Sequence, residues 1–173
     1  MSALETERLD LRPFEDSDID VLFAIQGDRE HMRHTFWAES REACAQWMRN
    51  YESRRAVDGF APWVLVCRGD GRIVGWGGLN LDPRAPEWGV EVSYFIAQTC
   101  ERKGFATELV HASLTHGFTD LAFEKIGAFA KMDNHASIRV LEKCGFKLLR
   151  YEPALDRNHY ELRREEWSAG YHA

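Results

Sequence analysis

The sequence contains no stretch approaching the ~18 consecutive apolar residues that a membrane-crossing helix requires, so no membrane partner is expected. Its first ten residues lack the basic, apolar and small-residue profile of a secretory signal, which makes the cytoplasm the expected location. The four cysteines, Cys44, Cys67, Cys100 and Cys144, form no C-x-x-C pair and have no histidine at zinc-ligand spacing. Disulfide and metal roles are set aside, no metal is expected, and small buried hydrophobes are the reading that remains. Basic residues are also in short supply, 22 against 28 acidic ones, for a net charge of −6. A nucleic-acid partner needs a basic face and is not expected. The acidic balance suits a cationic substrate, and any anionic cofactor must be held by local features. There is no internal repeat, low-complexity segment or linker, so residues 1–173 are expected to form a single domain. A chain of that length buries roughly 70% of its unfolded surface.

What is present is a run of short periodic segments. Arg8–Phe14 alternates apolar and charged residues as an edge strand does. Asp16–Gly27 and Ser40–Ala56 carry helical periodicity with caps, the second with Cys44, Trp47, Met48 and Tyr51 on one face as core packing. Pro62–Arg68 and Arg72–Leu81 flank a Gly69-Asp70-Gly71 turn and read as a hairpin. The loop Asp82–Glu87 holds Pro83 and Pro86 and cannot pair mid-sheet. Trp88–Ala97 reads as a strand, Lys103–Leu121 as a long amphipathic helix and Lys125–Met132 as a strand. Asn134–Cys144 reads as a short helix, with Phe146–Ala154 and Asn158–Arg164 as a closing hairpin.

The stretch from Glu91 to Phe146 organises the chain. A strand runs into a polar turn with one glycine, Gly104, and a long helix opens there. The first amides of such a helix have no intrahelical partner and lie at the positive end of the macrodipole, which makes an anion seat. The residues read Glu91-Val92-Ser93-Tyr94-Phe95-Ile96, then Glu101-Arg102-Lys103-Gly104-Phe105-Ala106-Thr107-Glu108. Later comes Asn134-His135-Ala136-Ser137-Ile138-Arg139-Val140-Leu141-Glu142-Lys143-Cys144-Gly145-Phe146. These two motifs at this separation resemble the GCN5-related N-acetyltransferases, and within them the RimJ/RimL-like branch that acetylates ribosomal-protein N-termini. Glu101 departs from the pattern, which has Gln, Arg or a bulky residue at that place.

The resemblance implies an α/β fold with a mixed, mostly antiparallel sheet of about seven strands, about four flanking helices and splayed central strands. It implies acetyl-coenzyme A as cosubstrate and direct transfer of the acetyl group to a primary amine, on a protein or peptide N-terminus or a small molecule. A monomer or homodimer is expected. The pyrophosphate falls to the amides of Arg102, Lys103, Gly104, Phe105, Ala106 and Thr107, with the Arg102 and Lys103 charges beside it. The pantetheine arm pairs with open strand groups around Tyr94, Phe95 and Ile96, and an amide near Tyr94 or Phe95 serves the oxyanion. Asn134 is both a helix N-cap and a residue facing the arm. Many family members place a Tyr four residues before the Gly-Phe pair as the acid for the leaving thiolate. Leu141 stands there and cannot donate. The ribosomal-protein branch also lacks that Tyr, and the resemblance to it implies Ser137 as the donor, directly or through water, with a capping hydroxyl as its plainer reading.

The expected base is Glu91, acting directly or orienting an ordered water that carries the proton away, otherwise a partly solvated strand carboxylate, with Asp82 and Glu87 behind it. Arg139 and Lys143 share a helix face that reaches for the ribose phosphate or is solvated. His31 and His34, beside Phe36 and Trp37, lie in the loop where the family binds its acceptor, or are surface turn residues. A covalent acyl-enzyme is not expected, because no Cys or Ser has a His partner at recognisable spacing. A cofactor-binding module without turnover, kept open by Glu101 and Leu141, is the alternative.

Overall fold

The computed structural model describes residues 4–82 and 85–170. Eight strands form one sheet: β1 (Leu4–Glu5), β2 (Leu9–Arg12), β3 (Trp63–Cys67), β4 (Ile73–Asn80), β5 (Glu91–Ile96), β6 (Lys125–Ala130), β7 (Lys147–Glu152) and β8 (Arg157–Arg163). Their spatial order is β1-β2-β3-β4-β5-β6-β8-β7, antiparallel throughout except where β5 meets β6. Five helices accompany them: α1 (Ile19–Gln26), α2 (Arg41–Asp58), α3 (Phe105–Thr115), α4 (His135–Lys143) and α5 (Arg164–Gly170). The α/β class and the mostly antiparallel mixed sheet agree with expectation.

The count differs from the expected seven strands and four helices at the two ends. β1 is two residues long and exists only because Leu4 and Glu5 pair with Leu11 and Asp10, a contact too short to leave a periodic signal. In α5 the apolar signal is Trp167 alone, which settles 5.4 Å from Phe118. Two other boundaries move. The strand expected from Trp88 begins at Glu91, because Pro86–Trp88 form a 3-10 turn and Gly89 takes φ 74. Helix α3 ends at Thr115 and continues as a π turn over His116–Asp120, where the His116 ring bonds the Asp120 carboxylate at 2.8 Å. Pro83, part of the expected loop, lies outside the described residues.

The sheet's two faces are built differently. Trp76 and Phe95, neighbours in register across β4 and β5, stack at 4.3 Å on one face. Helices α1 and α2 cover them: Gln26 of α1 accepts the Trp76 indole N–H at 3.0 Å, and Tyr51 of α2 packs 5.6 Å from that ring. The opposite face receives α3 and α4. There Gly77 permits close approach, since a Cβ on it would stand 2.4 Å from the Ser93 carbonyl and 2.8 Å from Leu109 of α3. Apolar side chains of α3, β6 and β8, including Leu114, Val110, Ile126 and Leu162, close a second core below.

Candidate active site

The parallel contact between β5 and β6 consists of one rung. Glu91 stands opposite Gly127, whose N–H donates to the Val90 carbonyl at 2.8 Å. Beyond that rung no further pairing joins the two strands, so they splay and leave an open-edged gap. Backbone polar groups alternate in direction along a strand. Because the Val90 carbonyl points at β6, so do the N–H groups of Val92, Tyr94 and Ile96: that of Val92 lies within the rung, and those of Tyr94 and Ile96 point into the gap. Those of Ser93 and Phe95 point at β4, where their carbonyls approach Gly77 and Gly75. Phe95 therefore spends its backbone on β4 and its ring on the core, while Tyr94 and Ile96 supply the open edge.

Side chains of functional type flank this gap on both faces. On the α4 side, the Tyr94 hydroxyl lies 2.7 Å from Ser137 Oγ. Ser137 is held by the cap of its own helix, its N–H donating to Asn134 Oδ1 at 3.2 Å. Burial pushes the Tyr94 phenol well above its usual range, so it keeps its proton. Leu141 is buried at 1% exposure and faces packing rather than the gap. On the opposite face, Glu91 is half-buried. Burial first, and the Asp82 carboxylate second, push its pKa up to about 7, with Arg157 opposing. Asn80 secures this end of β5, donating to the Glu91 carbonyl at 3.4 Å and to Ser93 Oγ at 3.0 Å. Glu87 is exposed in the 3-10 turn and does not join this group.

The turn into α3 has the geometry of an anion seat. Gly104 sits at φ 85 and Arg102 at φ 58, both left-handed. The first helical bond runs from the Glu108 N–H to the Gly104 carbonyl, leaving the amides of Phe105, Ala106 and Thr107 without intrahelical partners. A residue that sequence reasoning missed braces the turn from outside. Arg8 donates to the Lys103 carbonyl at 2.8 Å, bonds Glu108 Oε2 at 2.7 Å and covers the Phe105 ring at 4.8 Å. Thr6 completes the Glu108 carboxylate's contacts at 2.5 Å. No motif signals Arg8, because its partners lie about a hundred residues away in the chain. A groove of about 1000 Å³ runs from Gly104 and Thr107 past His111 to Asp120, with Lys143 on its wall. Arg139 is exposed and is not among its lining residues.

The loop between α1 and α2 spans the mouth of the gap. His31 donates from Nε2 to the Ile96 carbonyl at 2.8 Å, at the end of β5. His34 Nδ1 lies 3.3 Å from Asp133 Oδ1, in the turn before α4. The departure at Glu101 has its reason here: its carboxylate lies 3.6 Å from His31 Nδ1. Phe36 packs edge-on against Phe95 and Trp47, and Trp37 receives the Arg29 guanidinium.

One expectation needs correcting. Sequence spacing gave no histidine partner to any cysteine, yet Cys144 Sγ lies 3.9 Å from His111 Nε2. The two meet because α3 and α4 pack side by side. Burial raises the Cys144 thiol to about 11, so it stays protonated and is no nucleophile at neutral pH. Among the described residues no cluster of metal-ligating side chains occurs, and no helix is long and apolar enough to cross a membrane.

The splayed strands and the amide-lined turn, flanked by the Tyr94–Ser137 hydroxyls and the Glu91 carboxylate, are the features against which the family comparison is set. Residues 8–147 match the acetyltransferase (GNAT) domain family, and the chain belongs to that family. Among its relatives, the uncharacterized N-acetyltransferase YoaA of Bacillus subtilis (strain 168) is 30% identical over 151 residues, 83% of this chain and 82% of that protein. An acetyltransferase from Agrobacterium tumefaciens shares the fold with a TM-score of 0.81 at 19% identity, covering 94% of this chain and 95% of its own. A RimL ribosomal L7/L12 alpha-N-protein acetyltransferase in complex with coenzyme A shares it with a TM-score of 0.76 at 16% identity, covering 91% and 95%. The protein is an N-acetyltransferase of the GNAT family, with RimJ/RimL-like proteins among its fold neighbours.

Proposed function

We propose that the protein transfers the acetyl group of acetyl-coenzyme A directly to the primary amine of a peptide N-terminus or a small molecule, using Glu91 and the Tyr94–Ser137 pair. One observation carries this reading: the gap beyond the single β5–β6 rung has a proton acceptor on one sheet face and a proton donor on the other. The residues present fit the cosubstrate. The free amides of Phe105 to Thr107, with Arg102 and Lys103 beside them, suit a pyrophosphate, and Lys143 in the adjoining groove suits a further phosphate. The open amides of Tyr94 and Ile96 suit the polar groups of the arm, and Asn134 stands at its edge. Bound there, the cosubstrate supplies an activated acetyl thioester.

The chain's own residues then handle protons and charge. An acceptor arriving as ammonium meets Glu91, and its positive charge favours the ionised carboxylate, which takes the proton. The freed nitrogen forms the new C–N bond, and the Tyr94 amide is placed to hold the oxyanion that develops. As the C–S bond breaks, the leaving sulfur takes a proton from Ser137, relayed from Tyr94 across 2.7 Å, while the acylated nitrogen gives its second proton to solvent and solvent reprotonates the Tyr94–Ser137 pair. Tyr94 thus supplies from β5 the phenol that Leu141 lacks on α4.

The test is thermal unfolding with acetyl-coenzyme A at a hundred times its dissociation constant, followed by thiol release with an amine panel. Mass action predicts about 2.7 kcal/mol of stabilisation, roughly 5–10 °C for a chain of this size. Absence of a shift refutes the cofactor assignment. A shift without thiol release on any amine establishes instead a binding module without turnover.

A further inference from the structure

Among the described residues, the partly buried arginines are paired, with one exception. Arg12 grips Asp18 through bonds of 2.7 and 2.8 Å, Arg54 takes Asp58, and Arg55 takes Glu52 together with two backbone carbonyls. Arg157 opens β8, is partly buried, and makes no side-chain hydrogen bond or ion pair among the described residues. The carboxylates around it are engaged elsewhere. Glu152, opposite it in the ladder, accepts from Arg150 at 2.9 Å. Asp156 accepts from the Tyr151 hydroxyl at 2.7 Å, and Glu161 from Lys125 at 2.9 Å with Arg163 close by. Glu91 attracts Arg157 from beyond ion-pairing distance, while burial pulls the other way. A guanidinium that has lost part of its water without gaining a partner is unfavourable alone, and is a usual device for receiving a carboxylate.

What lies between Arg157 and Glu91 is equally specific. His159 is two residues along the same strand face, at 6% exposure, with Nδ1 buried and unpartnered. Its Nε2 hangs over Gly127, the residue paired with Glu91, at 3.2 Å from where a Cβ would stand. The His159 ring stacks on Phe129 at 4.5 Å, and Phe129 meets Trp88 at 5.2 Å. Phe129 and Trp88 are partly exposed, so this aromatic row offers a wall. One sheet face therefore presents, in sequence, a carboxylate, an aromatic wall and an unpaired guanidinium.

Resting on the acetyl-transfer reading above, we propose that the acceptor is a small amine bearing a free carboxylate, an amino acid with an apolar or aromatic side chain. Its amine faces Glu91 and the thioester, its side chain lies on Trp88, Phe129 and His159, and its carboxylate is received by Arg157. Acetylation follows the proton balance already given, and the carboxylate takes no part in bond making. Arg157 acts as a specificity-determining residue.

The experiment compares phenylalanine, phenylalanine amide and phenethylamine as acceptors by thiol release, with the wild-type protein, Arg157→Gln and Arg157→Lys. Phenylalanine is expected to have the highest kcat/KM in the wild type. Arg157→Gln should raise KM for phenylalanine by about tenfold or more while kcat changes less than about threefold. The same variant should leave the two uncharged-end amines within about threefold, and Arg157→Lys should recover part of the loss. Equal or better turnover of the amide or phenethylamine by the wild type overturns the proposal. So does an Arg157→Gln effect that is uniform across the three and appears as a shifted pH profile, since that marks Arg157 as tuning Glu91. If acetyl-coenzyme A stabilises the protein and peptide N-termini are acetylated while phenylalanine is not, this inference fails and the acetyl-transfer reading stands.

Discussion

Replacing Glu91 by glutamine separates the cost of a buried carboxylate from its use. Burial and Asp82 lift the folded-state pKa from the ordinary 4.5 to about 7. A folded-state pKa raised in this way means that the folded protein holds the proton more tightly than the unfolded chain. Stability contributed by the protonated form is therefore present below about pH 4.5 and is lost as pH rises through 7. A difference of that size corresponds to about 3 kcal/mol at full ionisation. Glutamine keeps the shape and cannot ionise. Glu91→Gln should therefore match the wild type near pH 4.5 and exceed its stability by about 1–3 kcal/mol at pH 8, about 3–8 °C in melting temperature. The same variant should lose most turnover and the ascending limb of the pH–rate profile near 7, while acetyl-coenzyme A affinity stays within about threefold. Urea unfolding at a series of pH values, with thiol release in parallel, reads both. A stability difference between variant and wild type that does not change from pH 4.5 to 8 would refute the burial argument. An unchanged ascending limb would remove Glu91 as the base.

Further outcomes follow from the same geometry. Tyr94→Phe and Ser137→Ala each break the 2.7 Å contact and should each lower kcat by about tenfold to a hundredfold. Because the two hydroxyls act in series, the double variant should cost little more than the worse single one; full additivity on a log scale would show that they act separately. Gly104→Val forces a branched side chain to φ 85 beside Arg8 Nη2, 3.2 Å from the new Cβ. Its strain is about 1–3 kcal/mol, and acetyl-coenzyme A should no longer raise the melting temperature; retained binding would sink the assignment of the turn. Arg8→Ala removes the brace on the Lys103 carbonyl from a partly exposed side chain. It should cost at most about 1 kcal/mol of stability while weakening the cofactor several-fold in a binding titration, and unchanged affinity would limit Arg8 to a surface contact.

Local chemistry was legible in the chain wherever an element carries its own signal. The Gly104 turn, the Asn134 cap and the alternation of β5 announce themselves because backbone conformation and capping depend on residues within a few positions of each other. The hairpin at Gly69–Gly71 and the helical stripe of α2 did so for the same reason. Glu91 and Ser137 could be nominated from motif positions, and Leu141 could be seen to lack a donor. The short β1 and the lone-Trp signal of α5 were not legible, since each depends on a distant partner rather than on its own periodicity.

Tertiary structure decided which groups meet. The single β5–β6 rung determines that the Tyr94 amide faces the gap and the Phe95 amide does not, a matter of strand parity relative to one pairing. The Tyr94–Ser137 contact joins residues 43 apart and restores the phenol that Leu141 lacks. Arg8 reaches the turn before α3 across nearly a hundred residues, and among the described residues Arg157 is left unpaired because neighbouring carboxylates found other donors. Such juxtapositions arise from sheet order and helix packing, which no local window contains. The sequence by itself determined the family and the glycine turn that opens α3; packing alone decided the direction of each donor and the partner of each charge.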